Sequence, residues 1–588
     1  MKTRKAFSLN LAIFLCLSSP LAAAPTSADP LVADAAMRGE LETVVSLVNQ
    51  SVDVNVSQGD GMTALHWAAQ HGDLAMVDVL LAAGANPEAG TRIGRYTPLH
   101  LASRGGHGAV VGVLLEGGAD PRATNTSGTT SLHFAGQAGS VDAVKALLDH
   151  GADVNARESS AGQTPLIFAS AFNRVEAMEV LIEYDAGLDI ATKVVDVSQV
   201  TRMNRQAQRR RSEVLQEFRD EAPPEEQETW SPTPSQVQAA IRAALSVQKS
   251  ESSESPEEVG EEAKGGMTAL HHAARQGQEG AIRALIDAGA DIDRVSADGS
   301  SPLQMATMNG HFDLAMLLLE HGADPNIATQ AGATPLFAAI NVQWAPFVSY
   351  PQPRAQDQQE ATLLDLMQAL LEAGADPDVR TNRDLWYVRY NVCCSQSVDG
   401  ATPFWRAAYA LDVEAMRLLV RYGADWSMPT RAGRLRLGNE YSHLQGVDDP
   451  SGLPPVPDGG PGQFPIHAAS GIGYGVTSEA NSHRHVPDGW LASVKYLVEE
   501  LGVDVNQRDF EGYNAVHHAA ARGDIELIRF LVERGADVTP VSRRGQTTAD
   551  MANSPPHLNQ SPILPFPEVI ELLESLGSEN NHNCSACL

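Results

Sequence analysis

One candidate chemical site is a group of histidine and cysteine residues at the C-terminal end of the chain. His582, Cys584 and Cys587 could supply three ligands to a tetrahedral zinc ion, with the fourth position open or filled by a partner. In an oxidising compartment the two cysteines could instead form a local disulfide. Covalent haem attachment needs a histidine directly after the second cysteine, and Leu588 stands there instead. We therefore favour a disulfide or free thiols and keep a metal or redox site as the alternative.

Aromatic side chains form a second candidate group, because they concentrate between residues 341 and 426. This stretch holds 11 of the 32 aromatic residues and four of the seven tryptophans. Large aromatic side chains are typical anchors of protein-binding sites. The alternative is a small private core that holds the insertions against the helices. The partner-binding hypothesis assigns contacts to Trp344, Phe347, Tyr350, Trp386, Tyr387, Tyr390 and Trp405.

Six histidines recur in the first turn of predicted helices, each directly after the residues that start the helix. They could be taken for catalytic groups if they were counted without this context. The chain has no G-x-S-x-G, H-E-x-x-H or P-loop motif and no recurrent pair of acids placed for acid and base catalysis. We therefore predict a protein that is not an enzyme and needs no cofactor. The six residues are His66, His100, His133, His271, His467 and His517.

The elements that position these side chains recur at a fixed period. Copies of one pattern at 63–66, 97–100 and 130–133 start 34 and 33 residues apart, and the pattern returns at 268–271. Threonine is a favourable N-cap and proline is tolerated in the first turn, so each copy predicts the start of a helix. A glycine such as Gly72 can end that helix in the left-handed conformation. A second helix and a Gly-Ala-Asp turn follow, and each unit needs its neighbours to bury its apolar face.

This pattern resembles the ankyrin repeat, with its T-P-L-H-x-A signature and 33-residue period. Eleven signature copies and the segment 31–56 predict about twelve repeats in an all-α ankyrin-repeat solenoid. The resemblance implies that the six recurring histidines are structural hydrogen-bonding groups. It also implies that a partner binds on the concave face formed by the turns and the first helices.

Departures from the period divide the chain. The longest begins with Arg202, Arg205, Arg209, Arg210 and Arg211 and then turns acidic, which predicts a largely disordered segment at 220–264 with a short helix around 235–247. It could be a tolerated loop or an arginine-rich docking strip. The predicted organisation is a signal segment at 1–24, repeats at 25–191, 265–340, 401–430 and 463–576, the charged insertion at 192–264, aromatic-rich insertions at 341–400, a Gly- and Pro-rich insertion at 431–462 and a cysteine-containing tail at 577–588.

The net charge of the chain limits the kinds of partner that we expect, and the N-terminal segment predicts its location. Acidic residues outnumber Lys and Arg by 73 to 42, which disfavours binding to nucleic acid or to an anionic membrane. Residues 1–24 combine a basic start, an apolar run and small residues, as in a secretory signal, and no later apolar stretch predicts membrane insertion.

We therefore expect a periplasmic or secreted scaffold that binds a protein of unknown identity, with its oligomeric state left open. The alternatives are a secreted effector that acts on another cell and a redox or metal protein that uses the terminal cysteines.

Overall fold

A computed structural model describes residues 29–224, 227, 229–251, 263–345, 354–383, 399–432, 449–473, 485–553 and 565–581. The predicted signal segment at 1–24 lies outside these residues. So do the side chains of Phe347, Tyr350, Trp386, Tyr387, Tyr390, His582, Cys584 and Cys587.

The chain divides into two compact units, the first containing 1–135 and 142–152 and the second containing 136–141 and 153–588. In the first unit, the first helices of the first three repeats pack on one another in succession, and their second helices do likewise. The helices up to residue 149 are α1 (Leu31–Met37), α2 (Leu41–Asn49), α3 (Ala64–His71), α4 (Leu74–Ala82), α5 (Pro98–Gly105), α6 (Gly108–Glu116), α7 (Ser131–Ala138) and α8 (Val141–Asp149).

Local chemistry explains where these helices begin and end. The side chain of Thr97 accepts a hydrogen bond from the backbone of His100, and Pro98 fills the first turn of α5, where no intrahelical donor is required. Gly106 follows with a φ of 72°, a left-handed conformation that ends the helix at little steric cost. Leu99 and Leu114, from the two helices of this repeat, are buried. Burial of each such side chain contributes about 1.5–3 kcal/mol.

The second unit continues the same arrangement from residue 165. Its helices are α9 (Pro165–Ala171), α10 (Val175–Glu183), α11 (Val197–Asp220), α12 (Pro234–Glu251), α13 (Ala269–Gln276), α14 (Glu279–Asp287), α15 (Pro302–Met308), α16 (Phe312–Glu320), α17 (Pro335–Gln343), α18 (Leu363–Glu372), α19 (Pro403–Tyr409), α20 (Val413–Arg421), α21 (Pro465–Ser470), α22 (Gly489–Lys495), α23 (Ala515–Arg522), α24 (Ile525–Glu533), α25 (Thr548–Met551) and α26 (Pro567–Ser575). A 3-10 turn spans Ala355–Gln358, and a π turn at Tyr496–Glu500 extends α22.

The insertion at 192–264 differs from the sequence-based expectation, because most of its described part is a pair of packed helices, α11 and α12. The carboxylate of Asp196 caps α11 by accepting from the backbone of Gln199 at 3.0 Å. Ala207 and Val214 recur seven residues apart and are buried, as is Ala240 of α12. Helix α12 lies where the sequence predicted a short helix around 235–247, whereas no helix was predicted over α11. Residues 252–262 of the segment predicted to be largely disordered lie outside the described residues. The overall composition hid a narrow apolar stripe.

The repeats on either side of this insertion pack directly on each other. Helix α9 contacts α13, and the hydroxyl of Ser170 donates to the carbonyl of Ala269 at 3.2 Å. Two short antiparallel strands, Val195–Asp196 and Ala263–Lys264, join the ends of the insertion. The predicted all-α class is confirmed, with this small strand pair as an addition. Among the described residues, no helix is long and apolar enough to cross a lipid bilayer.

Candidate functional site

The signature histidine connects the start of its own helix with the following repeat. In α5, the Nδ1 atom of His100 accepts a hydrogen bond from the backbone of Thr97 at 3.2 Å. The Nε2 atom lies 3.0–3.2 Å from a carbonyl of the next repeat, Thr129 for His100 and Tyr96 for His66. Because Nδ1 accepts, Nε2 must carry the proton and donate it. His66 and His100 therefore each act as a neutral link between two repeats.

Burial keeps these rings neutral. It lowers the pKa of His100, His271 and His467 to about 4 and that of His517 to about 3, against an ordinary value of 6.5. In a protonated ring Nδ1 would carry a hydrogen atom and could no longer accept from the backbone N–H. Two hydrogen-bond donors would then face each other. These contacts support the structural role that the resemblance implied. The Nδ1 atom accepts from the backbone three residues earlier in His66, His100, His133, His271, His467 and His517.

Trp405 occupies the signature-histidine position of its own repeat. Its side chain has 0% exposure. Its indole N–H donates to the carbonyl of Gln463 in the following repeat at 3.0 Å, the link that a histidine makes elsewhere. The ring also stacks on Tyr409 at 5.4 Å. With no surface free, Trp405 cannot contact a partner in this conformation, and its position favours the alternative of a packing role.

Trp344 is partly exposed and joins a buried polar cluster at the end of α17. Its indole donates to the carboxylate of Asp412 at 3.1 Å, and its carbonyl accepts from the guanidinium of Arg406 at 3.0 Å. Arg406 also donates to the side chain of Asn341 at 2.8 Å. Burial lowers the pKa of Arg406 to about 10 and raises the pKa of Asp412. The cluster fixes Trp344 at the edge of the insertion, where its predicted partner contact stays a prediction.

A more exposed candidate lies in the first unit, on a turn that the sequence analysis did not single out. The backbone of Thr91 donates to the carbonyl of Tyr96 at 2.9 Å, and the Thr91 hydroxyl donates to the carbonyl of Ile93 at 2.8 Å. The turn also includes Arg95 with a φ of 54°, in the left-handed region. This geometry holds the side chain of Ile93 in solvent with 81% exposure.

Aromatic and cationic side chains from neighbouring repeats lie beside this turn. The ring of Tyr96 lies 6.0 Å from Phe134, and the guanidinium carbon of Arg104 lies 5.7 Å from the Tyr96 ring. Tyr96 and Phe134 are partly exposed, and Arg104 is exposed. We call Ile93, Arg95, Tyr96, Arg104 and Phe134 the aromatic–arginine surface. Among the described residues, no acidic side chain forms an ion pair with either of its arginines.

Two sequence signals could have located this surface. Ile93 is an apolar residue between arginines at the tip of a turn, where an apolar side chain has nothing to pack against. Tyr96 is an aromatic residue directly before a helix-capping threonine. Neither residue lies in a stretch of the chain that is rich in aromatic residues, so the local density of aromatic residues does not single them out.

Several predicted site residues cannot be placed. The aromatic residues of the insertions other than Trp344, and the terminal residues His582, Cys584 and Cys587, lie outside the described residues. The disulfide, thiol and metal alternatives for the tail therefore stay predictions.

Paired helices with capped starts, glycine ends and a core shared between neighbours define a helical-repeat protein. The chain belongs to the ankyrin-repeat family. One family profile, Ankyrin repeats (3 copies), matches residues 32–125, 109–193, 239–329 and 270–350. A second, Ankyrin repeats (many copies), matches residues 482–532. Together these matches cover more than half of the chain.

Individual relatives match over shorter stretches. Cyclin-dependent kinase 4 inhibitor B of Bos taurus is 37% identical over 122 residues, which is 21% of this chain and 76% of the relative. The B-cell lymphoma 3 protein homolog of Mus musculus is 39% identical over 84 residues, 14% of this chain and 19% of the relative. The palmitoyltransferase-type protein ZDHHC13 of Danio rerio is 28% identical over 174 residues, 29% of this chain and 26% of the relative.

The chain spans about a quarter of ZDHHC13 and a fifth of the B-cell lymphoma 3 homolog. The ankyrin repeats and these relatives support a role in protein–protein interaction.

Proposed function

We propose that this chain is a non-enzymatic interaction scaffold, exported to the cell envelope or secreted, that binds a protein partner on the face formed by its turns and first helices. Within the first unit the aromatic–arginine surface forms the main contact. The aromatic insertions at 341–400 add specificity, with Trp344 as their described member.

The exposure of Ile93 is the observation that carries this proposal. A large aliphatic side chain in water at 81% exposure contributes almost nothing to folding. On a partner surface the same side chain would contribute about 1.5–3 kcal/mol. Tyr96 belongs to the same turn, Arg104 lies against the Tyr96 ring, and both are of the residue types that dominate binding hot spots. A partner would therefore gain an apolar anchor surrounded by aromatic and cationic groups.

The charge of the surface favours an acidic partner. Arg95 and Arg104 are exposed, although the chain as a whole carries a net charge of −31. A local positive patch on an acidic protein steers a negatively charged protein segment to one place, while the rest of the chain repels it.

Replacing Ile93 tests the surface. We expect Ile93→Ser to lower the affinity for the partner roughly ten- to a hundredfold, because the apolar contact is lost. The thermal midpoint of unfolding should not change, since the side chain packs against nothing. Affinity capture from native extract followed by binding measurements on the captured protein would check this result.

A matched control is Val295→Ser, which removes an exposed aliphatic side chain on a turn of another repeat. It should leave the affinity unchanged. Charge reversal in Arg104→Glu should slow association and reduce its dependence on salt. If both Ile93→Ser and Arg104→Glu bound the captured partner as tightly as the unaltered chain, the proposed surface would be wrong.

Export rests on the composition of residues 1–24 and is tested separately. A reporter that is active only outside the cytoplasm, fused after residue 60, should show activity with the intact N-terminal segment. Activity should disappear when Leu11 and Leu15 of the apolar run are both changed to Arg, because a charged run no longer enters the secretion machinery. Equal activity of the two fusions would contradict export by this segment.

A further inference from the structure

At most described repeat junctions, one long polar side chain after the Gly-Ala-Asp type of turn reaches the turn of the following repeat. Asn326 shows the complete arrangement. Its side-chain amide donates to the carbonyl of Gly374 at 2.9 Å, and its side-chain oxygen accepts from the backbone of Asp376 at 2.8 Å. A primary carboxamide thus satisfies one carbonyl and one N–H of the next turn together. We call this residue the bridging residue.

Other junctions keep all or part of this arrangement. Asn506 bonds to the carbonyl of Gly535 at 3.0 Å and accepts from the backbone of Asp537 at 2.7 Å. Where the bridging residue is an aspartate, its carboxylate accepts from the backbone N–H of the next turn but has no hydrogen to donate to the carbonyl there. The remaining described examples are Asn55, Glu88, Arg122, Asn155, Asp189, Asp293 and Asp378.

Ser427 stands at the bridging position of its repeat and does not bridge. Its hydroxyl donates to Asp425 of its own turn at 2.6 Å. Its side chain is one bond shorter than that of asparagine and does not reach the next repeat. Among the described residues, the carbonyl of Gly502 and the backbone N–H of Asp504 have no hydrogen-bond partner. These two groups correspond to the pair that Asn326 satisfies at its own junction.

A cavity of about 110 Å³ lies at this gap. Trp426 and Phe464 provide apolar walls, and Ser427, Gly502 and Asp504 line it together with Gln507. A single water molecule needs only about 10–15 Å³ of such volume, so the cavity has room for a small functional group.

We propose that this cavity binds a primary carboxamide, the side chain of an asparagine or glutamine on a partner segment. Its NH₂ group donates to the carbonyl of Gly502, its oxygen accepts from the N–H of Asp504, and its methylene packs on Trp426. A carboxylate would lack the donor and would meet the carboxylates of Asp504 and Asp425. An ammonium group would lack the acceptor. Of these three groups, only the carboxamide satisfies both backbone groups.

This site lies in the second unit and uses none of the residues of the aromatic–arginine surface. Its failure and the failure of the proposed function are therefore distinguishable.

The test uses N-acetyl-asparagine methylamide as the probe, with the corresponding aspartate and leucine compounds as controls for its backbone. The full chain carries 5-fluorotryptophan, and the ¹⁹F signal of Trp426 is assigned with Trp426→Phe. We expect the asparagine compound to shift this signal saturably. The aspartate and leucine compounds should bind at least tenfold more weakly.

Two substitutions at one position provide matched variants. Ser427→Asn introduces the residue that bridges at Asn326 and Asn506, so it should fill the gap from within, raise the thermal midpoint of unfolding and weaken the probe at least tenfold. Ser427→Ala leaves the gap open and should bind the probe like the unaltered chain. The proposal is overturned by equal responses to the three compounds, by the lack of a saturable response to the asparagine compound, or by unchanged binding in Ser427→Asn.

Discussion

Acidification from pH 7 to pH 5 should destabilise the folded chain by about 2 kcal/mol for each deeply buried signature histidine. The folded-state pKa of His100, His271 and His467 is about 4, below the ordinary value of 6.5 that applies to the unfolded chain. The neutral ring therefore stabilises the fold fully above pH 6.5, and this contribution is lost as the pH falls from 6.5 towards 4. Because several such rings act together, the midpoint of urea unfolding should fall steeply across this window.

The variant His271→Gln isolates one histidine. Gln304 occupies the equivalent position two helices later, so the fold accepts this residue. The variant should be less stable than the unaltered chain at pH 7, because it loses the links to Thr268 and Ser300. Its loss of stability between pH 7 and pH 5 should be smaller by about 2 kcal/mol.

The control is His150→Gln, which changes an exposed histidine near the end of α8. This variant controls for a change of histidine to glutamine outside the buried signature positions. An identical pH dependence for His271→Gln and the unaltered chain would show that the buried ring is protonated without cost, against the expectation.

Trp405→Ala should lower the free energy of unfolding by about 3–5 kcal/mol, since it empties the space of the largest fully buried side chain among the described residues. It also removes the hydrogen bond to the carbonyl of Gln463. Urea unfolding followed by circular dichroism measures this change.

The variant Trp405→His should be compared with Trp405→Ala. It restores the signature residue and keeps a donor for Gln463, so it should be more stable than the alanine variant while still losing packing volume. Trp344→Ala serves as the control for partner binding, because Trp344 is partly exposed at the edge of the insertion. If Trp405→Ala kept its full stability and lost only partner binding, the partner-contact hypothesis for Trp405 would be right and the packing role wrong.

Most of the fold could be predicted from the local rules of helix capping. A capping residue, a histidine three residues later and a glycine at the helix end act within about ten residues of each other, so their spacing alone locates the helix starts. The structure begins α3, α5, α13 and α23 at such positions. Helix α11 of the charged insertion escaped prediction, because its strongly charged composition hid the buried stripe formed by Ala207 and Val214.

The candidate sites depended on contacts between repeats. The sequence predicts a partner contact for Trp405, whereas in the structure its ring is buried and its indole donates to the carbonyl of Gln463 in the next repeat. The aromatic–arginine surface joins side chains from successive repeats, and the gap at Ser427 is recognisable only where Asn326 and Asn506 bridge elsewhere.

The repeat, the starts of its helices and the place of each capping histidine could be predicted from the amino-acid sequence, because they follow from interactions between residues close in the chain. Which side chains are free to bind depends on contacts between repeats. A side chain is buried or exposed according to the neighbouring repeat that packs against it. The spacing of signatures along the chain does not contain that information.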